Sequence, residues 1–291
     1  MDLESPTQDE VRNIMEEFFI NPLVAEEFLS PTLKPKVDFY KDYIYLILHF
    51  PALRHTHSGS QKQEIDFVIG KNFLLTVRYD TIDALHKFSK VFEVNSVLDK
   101  SDMGDHAGFI FFYMLRKLYR SIEHEIEFIE DKVEVIEDRV FEGKEKDMVY
   151  EISKLFRNLL DIKQALSAHE EVLASFEVVS PKIFGEAFTY QVRSLTGSYF
   201  RVKTIIENAA ADLKEIRETN NSLLSTKQNE AMKILAIMAF VTFPLSLIAT
   251  IFGMNTNLPL VGNPNDFWII ITIMLTLTAI FFWFFKSKKW L

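Results

Sequence analysis

The chain of 291 residues contains no cysteine. That excludes disulfides, thiolate metal sites and cysteine nucleophiles, and it fits a reducing compartment. The start, Met1-Asp2-Leu3-Glu4, is acidic and lacks the apolar stretch of a signal peptide, so the bulk of the protein is expected in the cytosol. Basic residues are outnumbered, 32 to 41, for a net charge of −9. Such a balance argues against nucleic acid as a partner and suits a cationic ligand, although a solvated acidic surface is its commoner cause. No nucleophile–base arrangement and no paired carboxylates in a pocket context can be found. Gly70-Lys71 lacks the glycine spacing of a phosphate loop. These absences argue against an enzyme.

Charge is also missing from two long stretches. Ile234 to Phe252 and Phe267 to Phe285 are each 19 residues long and hold no Asp, Glu, Lys, Arg or His. At about 1.5 Å per residue each helix reaches roughly 28 Å, close to the ~30 Å hydrocarbon core of a bilayer. The segment between them, Gly253 to Asp266, has no Lys or Arg, whereas Lys227 and Lys233 precede the first run and Lys286, Lys288 and Lys289 follow the second. The positive-inside rule places both termini in the cytosol and this loop outside. Trp268, Trp283 and Trp290 lie near the span ends, where amphipathic aromatics collect. Gly253-Met254-Asn255 then sits at a membrane surface, where a small polar motif can meet a solute about to cross. Two spans cannot enclose a water path, so a pore requires several copies.

The first hundred residues read as mixed α/β. Val11 to Leu29 is helical by pattern with an interruption at Asn21-Pro22, and Val37 to Phe50 is rich in aromatic and β-branched residues. Ile65, Phe67 and Ile69 alternate, then Gly70-Lys71-Asn72 turns into Phe73, Leu75 and Val77, a hairpin pattern. Asp83 to Phe92 returns to helix. From residue 105 the period changes. Ile122, Ile126, Ile129, Val133, Ile136 and Val140 form a coiled-coil seam, and a second runs through Ile152, Leu155, Leu159, Ile162, Leu166 and Leu173. The two read as an antiparallel hairpin. Val192, Leu195, Tyr199, Val202, Ile206, Ala209, Leu213, Ile216, Asn220 and Leu223 keep a heptad rhythm without a strong breaker before the first apolar run. A continuous helix from Glu186 to Phe252 would measure about 100 Å. Gly197 within it is tolerable at a cost of ~1 kcal/mol.

The expected fold class is therefore an α+β membrane protein. Residues 1–104 form an α/β cytosolic domain, 105–180 an acidic antiparallel helical hairpin and 181–233 a stalk helix. The stalk runs into transmembrane helix 234–252, followed by external loop 253–266, transmembrane helix 267–285 and basic tail 286–291.

Two acidic or metal-ligating clusters compete with bland readings. Between Ser121 and Tyr150 there are eleven acids and four bases. Glu127, Glu130, Glu134, Glu137 and Asp138 are candidates for a regulatory Mg²⁺ site, and a solvated coiled-coil face is the ordinary alternative. His55 and His57 could pair on a metal, but an exposed loop between strands is the commoner explanation.

The Gly253-Met254-Asn255 triplet at the end of a span, Pro244 midway through that span, Asn229-Glu230-Ala231-Met232-Lys233 just before it and the Lys-Lys-Trp-Leu ending together resemble the CorA family of divalent-cation channels. The resemblance covers the whole chain, with the specific motifs in its last 65 or so residues. It implies a homopentamer in the inner (plasma) membrane carrying Mg²⁺, with Co²⁺ or Ni²⁺ as further cargo and no cofactor beyond the ion itself. Asn255 would be the ring that meets hydrated cations, with Gly253 and Met254 fixing the turn. Ser246 falls where the family has a small hydroxyl, and Thr242 and Thr250 share its helical face. Met232 and Leu235 match an apolar gate, and Asn229 matches a polar ring on its cytosolic side. Thr242 and Thr250 have a second reading, hydroxyls bonded to their own i−4 carbonyls. One departure stands out: Asn257-Leu258-Pro259-Leu260 is neutral where many relatives carry acids, which leaves Asp266 to attract cations outside. A sensing aspartate of the family would fall at Ser194. A Zn²⁺ transporter of the ZntB type shares motif and fold. A membrane-anchored coiled-coil signalling or scaffold protein is the reading from another class.

Overall fold

The computed structural model describes residues 1–32, 34–52, 62–79, 105–254 and 265–288. The expected helix from Asp83 to Phe92, the His55/His57 pair and Asn255 lie outside these described residues. The chain divides into two compact units, Met1–Arg217 and Glu218–Leu291.

Unit one opens with a five-stranded sheet of order β1-β5-β4-β3-β2. The strands are β1 (Asp2–Glu4), β2 (Lys36–Phe39), β3 (Tyr43–Pro51), β4 (Lys62–Gly70) and β5 (Leu74–Arg78). The aromatic stretch expected from Val37 splits into two antiparallel strands, with Tyr40 N–H closing the turn on the Tyr43 carbonyl at 2.9 Å. The β4–β5 hairpin has the expected turn. Ile69 faces Leu74, and Gly70 N–H donates to the Phe73 carbonyl at 2.9 Å. A Cβ on Gly70 would run into the Phe73 ring, which would have to shift to admit one. β1 was not expected. It pairs parallel to β5 and is held by Arg78, whose guanidinium reaches Asp2 at 3.1 Å and Glu4 at 2.7 Å.

Both faces of the sheet are covered, which gives three layers. Side chains alternate across a strand. Tyr45, Ile47, Val68, Leu75 and Val77 pack against α1 (Gln8–Phe18) and α2 (Pro22–Glu27) through Val11, Ile14, Val24 and Phe28. A Thr7/Glu10 capping box starts α1, and Asn21 caps α2 with Pro22 in its first turn. On the other face Ile44, Leu46, Leu48, Ile65 and Phe67 have no exposed surface, and exposure returns only at the edge strand, at Phe39. This face meets α3 (Ala107–Phe141), α4 (Glu145–Ala165) and α5 (His169–Val179). Phe67 lies edge-on to Phe111 of α3 at 5.1 Å, and Phe111 lies edge-on to Phe176 of α5 at 5.1 Å.

The first seam is buried throughout, from Ile122 to Val140 along α3. Gly143, at φ 89°, ends that arm. The second arm departs from expectation, because it breaks after Ala165 and Leu173 belongs to a separate helix, α5. The break delivers His169 to the interior. Its Nε2 lies 2.7 Å from the His49 carbonyl and its Nδ1 2.8 Å from the Tyr119 hydroxyl. A carbonyl only accepts, so Nε2–H donates to it and Nδ1 accepts from Tyr119, which assigns the tautomer. Burial holds this imidazole neutral and pushes its pKa down to about 4. One side chain thus ties β3, α3 and α5 together. After α6 (Pro181–Phe184) and a 3₁₀ turn, α7 (Thr189–Phe252) runs for 64 residues. Val192, Leu195, Tyr199, Val202, Ile206, Ala209, Leu213 and Ile216 are all buried along its first half.

The sheet also buries acids. Asp66 is fully enclosed and accepts from the Tyr45 hydroxyl at 3.0 Å, while its Oδ1 has no partner. Glu64, beside it, accepts from Thr32 N–H at 2.8 Å and contacts His49 Nε2 at 3.0 Å. Burial and then the Glu64 charge push the Asp66 carboxyl up to about 8. The unfolded chain releases this proton near pH 3.8 and the folded chain holds it to about pH 8. Folding therefore takes up a proton between those values, and stability falls as pH rises across that window. Asp66→Asn should flatten this slope and raise the melting temperature at pH 8 relative to wild type, read by thermal unfolding of detergent-solubilised protein from pH 5 to 9. An unchanged slope would contradict the protonated Asp66.

Candidate functional site

Unit two holds the end of α7 and all of α8 (Asp266–Ser287). Both helices are long and apolar enough to cross a membrane. Within α7, Pro244 removes one backbone donor, yet the helix continues to Phe252.

The packing of α7 in this unit is one-sided. Ile237 is buried, as is Phe285 of α8, and the rings of Phe240 and Phe285 meet edge-on at 6.5 Å. Val241, Pro244, Leu245, Ile248 and Phe252 are half-buried. At 100° per residue these positions and Ile237 fall within an arc of about 100°. Met232, Leu235, Thr242, Ser246, Thr250 and Gly253 are exposed and fall within an arc of about 80°, centred some 150° away. Of the residues expected to line a pore, all but Asn229 therefore share the exposed face of α7. Asn229 is exposed and lies about 60° off the edge of that arc.

Of the two readings of the threonines, the bond to the i−4 carbonyl is the one observed. Thr242 Oγ1 donates to the Met238 carbonyl at 2.9 Å, and Thr250 Oγ1 donates to the Ser246 carbonyl at 2.7 Å. The donated proton is used inside the helix, and the oxygen lone pairs remain as acceptors on the exposed face. Water in a cation's hydration shell offers hydrogens outward, so acceptors are what it needs. The helix closes through Gly253, whose N–H donates to the Ala249 carbonyl at 2.9 Å, and Met254 N–H reaches Ile251 at 3.3 Å. A Cβ on Gly253 would lie 3.1 Å from the Ala249 oxygen, a tight approach. Gly253 does not take a left-handed conformation; among the described glycines only Gly143 and Gly185 do. Met254 is exposed, and Asp266 is the first residue of α8.

In unit one Glu127, Glu130, Glu134, Glu137 and Asp138 are exposed along α3. Glu127 lies 2.9 Å from His124. Partial burial, then Asp212, Glu127 and Asp131, raise the Glu130 carboxyl above its ordinary value. Among the described residues of one chain, no three His, Asp or Glu side chains converge as a metal site. The buried pair Glu64 and Asp66 escaped the sequence reading. Alternation at Ile65, Phe67 and Ile69 marks one buried face, and nothing local says that the other face is covered too.

A sheet-bearing body, one long helix and two C-terminal apolar helices define a multi-pass membrane protein. The family model described as CorA-like Mg²⁺ transporter protein matches residues 1–288, and the chain belongs to this CorA family, whose members are transporters and not enzymes. The cobalt/magnesium transport protein CorA of Thermotoga maritima is 26% identical over 289 residues, covering 97% of this chain and 80% of its own. Its namesake in Methanocaldococcus jannaschii is 24% identical over 302 residues, covering 100% and 90%. The solved structure of the M. jannaschii CorA magnesium transporter superposes with a TM-score of 0.86 at 22% identity, over 100% of this chain and 90% of that one. The ZntB cytoplasmic domain of Vibrio parahaemolyticus gives 0.63 at 14% identity, over 77% and 87%.

Because the chain has no cysteine, single replacements report on each face cleanly. Ser246→Cys and Thr250→Cys should react with a water-soluble thiol reagent in membranes, while Ile248→Cys should react at least tenfold more slowly. Equal labelling rates would contradict the two-faced reading.

Proposed function

We propose that the protein is a divalent-cation channel with Mg²⁺ as its main cargo, assembled as a homopentamer in the inner (plasma) membrane with both termini cytosolic. The observation that carries this is the hydroxyl-bearing face of α7, turned away from α8 and leading to Gly253-Met254-Asn255. Family membership supports it, and so does the absence of Lys and Arg between Gly253 and Asp266. Co²⁺ and Ni²⁺ are further candidates for cargo, and the relatives' names pair cobalt with magnesium.

The mechanism follows from the chemistry of the ion. Mg²⁺ gives up water reluctantly. A ring of Asn255 amide oxygens hydrogen-bonds the hydration shell without stripping it, whereas a carboxylate ring would bind harder and release more slowly. The shell then meets the acceptor oxygens of Thr250, Ser246 and Thr242. Met232 and Leu235, both exposed in the single chain, line an apolar constriction that closes by dewetting, with Asn229 on its cytosolic side. The driving force is the membrane potential, about 4.6 kcal/mol per 100 mV for two charges. Asp266 is the one acid available to concentrate cations at the outer loop. A regulatory Mg²⁺ on the Glu127 to Asp138 stripe would draw ligands from a second copy, since the described residues of one chain do not bring three together.

Asn255→Ala should abolish Mg²⁺-dependent growth rescue of a strain lacking Mg²⁺ uptake, while gel filtration shows the same oligomer as wild type. Full rescue by the variant would contradict the Asn255 ring.

A further inference from the structure

We propose that the groove between α3 and α7 in unit one is a binding site for a phosphate ester of nucleotide size. The groove encloses about 470 Å³. That volume lies in the range of small-molecule sites and far exceeds a single phosphate. Arg116, Arg120, Glu123 and His124 approach it from α3, and Ser198 and Arg201 from α7.

The charges in the groove do not cancel. Glu127 also lines it and is engaged by His124 at 2.9 Å. Glu123 is engaged by Arg201 at 3.8 Å. Arg116 and Arg120 remain, one helical turn apart on the same face of α3, and neither makes an ion pair or side-chain hydrogen bond among the described residues. Like charges at this spacing repel and gain from a shared counter-ion. Guanidinium forks match the oxygens of a phosphate in paired hydrogen bonds.

The rest of the lining selects an ester over a bare polyphosphate. Tyr119 is buried beneath the groove with its hydroxyl committed to His169, and Ile205 adds apolar surface from α7. Ser198 donates its proton to the Ser194 carbonyl at 3.1 Å, which leaves its oxygen as an acceptor. The two carboxylates are acceptors as well. They favour a ligand with hydroxyl or amino donors next to its phosphates, as a nucleoside diphosphate has, and they repel extra negative charge. The ligand would bridge α3 to α7, the helix that continues into the first apolar span.

The test is isothermal titration calorimetry of the full-length protein in detergent and chelator, with ADP, pyrophosphate and inorganic phosphate as probes. ADP should bind at least tenfold more tightly than pyrophosphate, and inorganic phosphate more weakly still. Arg116→Gln combined with Arg120→Gln should weaken ADP at least tenfold with melting temperature and oligomer size unchanged. Arg120→Gln alone should give a smaller loss in the same direction, which keeps the test open if the double variant folds poorly. Lys117→Gln, exposed on α3 outside the groove, should leave binding unchanged. The proposal is overturned if ADP does not bind, if pyrophosphate binds as tightly, or if Lys117→Gln weakens ADP as much as the arginine variants. It is also overturned if either arginine variant splits the oligomer, because the arginines are then contacts between copies.

Discussion

A pair of membrane helices offers each partner a single seam. Along α7 that seam is taken by Ile237, Val241, Pro244, Leu245, Ile248 and Phe252. Every oxygen-bearing side chain of the span, Thr242, Ser246 and Thr250, lies on the far side and is exposed among the described residues. In hydrocarbon such a face is unfavourable unless it meets protein or water. Thr242 and Thr250 have reduced their own penalty by donating to i−4 carbonyls, but the acceptor capacity of the three hydroxyls still calls for a polar neighbour. More copies of the same helix around water would satisfy all of them at once, which is the physical basis of the proposed channel.

The body of unit one solves a different problem. Its sheet is buried on both faces, so each layer depends on the next. Phe67, Phe111 and Phe176 transmit contact from sheet to α3 to α5, and His169 binds the same three elements by hydrogen bonds. Surface ion pairs such as Lys203–Glu170 and Arg193–Glu177 decorate these helices and contribute little to stability. The buried seam along α7, from Val192 to Ile216, is therefore anchored by packing.

Much of this was legible in the chain itself. Heptad spacing located α3 and the long run of α7 because those helices bury one stripe each, and a stripe is a periodic signal. Gly70-Lys71-Asn72 marked its hairpin because turn chemistry is local. β1 was missed because three residues carry no period and its pairing depends on Arg78, more than seventy positions away. The break before α5 was missed for a related reason: Leu166 and Leu173 continue the seam, and Ser167-Ala168-His169 between them holds no glycine or proline to mark a break. Glu64 and Asp66 read as the solvent side of a strand until α1 and α2 covered them. In the first apolar run, the shared face of Thr242, Ser246 and Thr250 was legible, while the packed stripe of Ile237, Val241 and Ile248 opposite it emerged only from the structure.

The central claim is that hydrated Mg²⁺ passes down its electrochemical gradient along this face. The most direct measurement is flux into liposomes containing the purified protein and a Mg²⁺ indicator, with the membrane potential set by potassium and no proton gradient. The account predicts Mg²⁺ entry that grows as the interior becomes more negative and that persists at equal pH on both sides. No Mg²⁺ flux at any potential, or Zn²⁺ flux that appears only with a proton gradient, would contradict it.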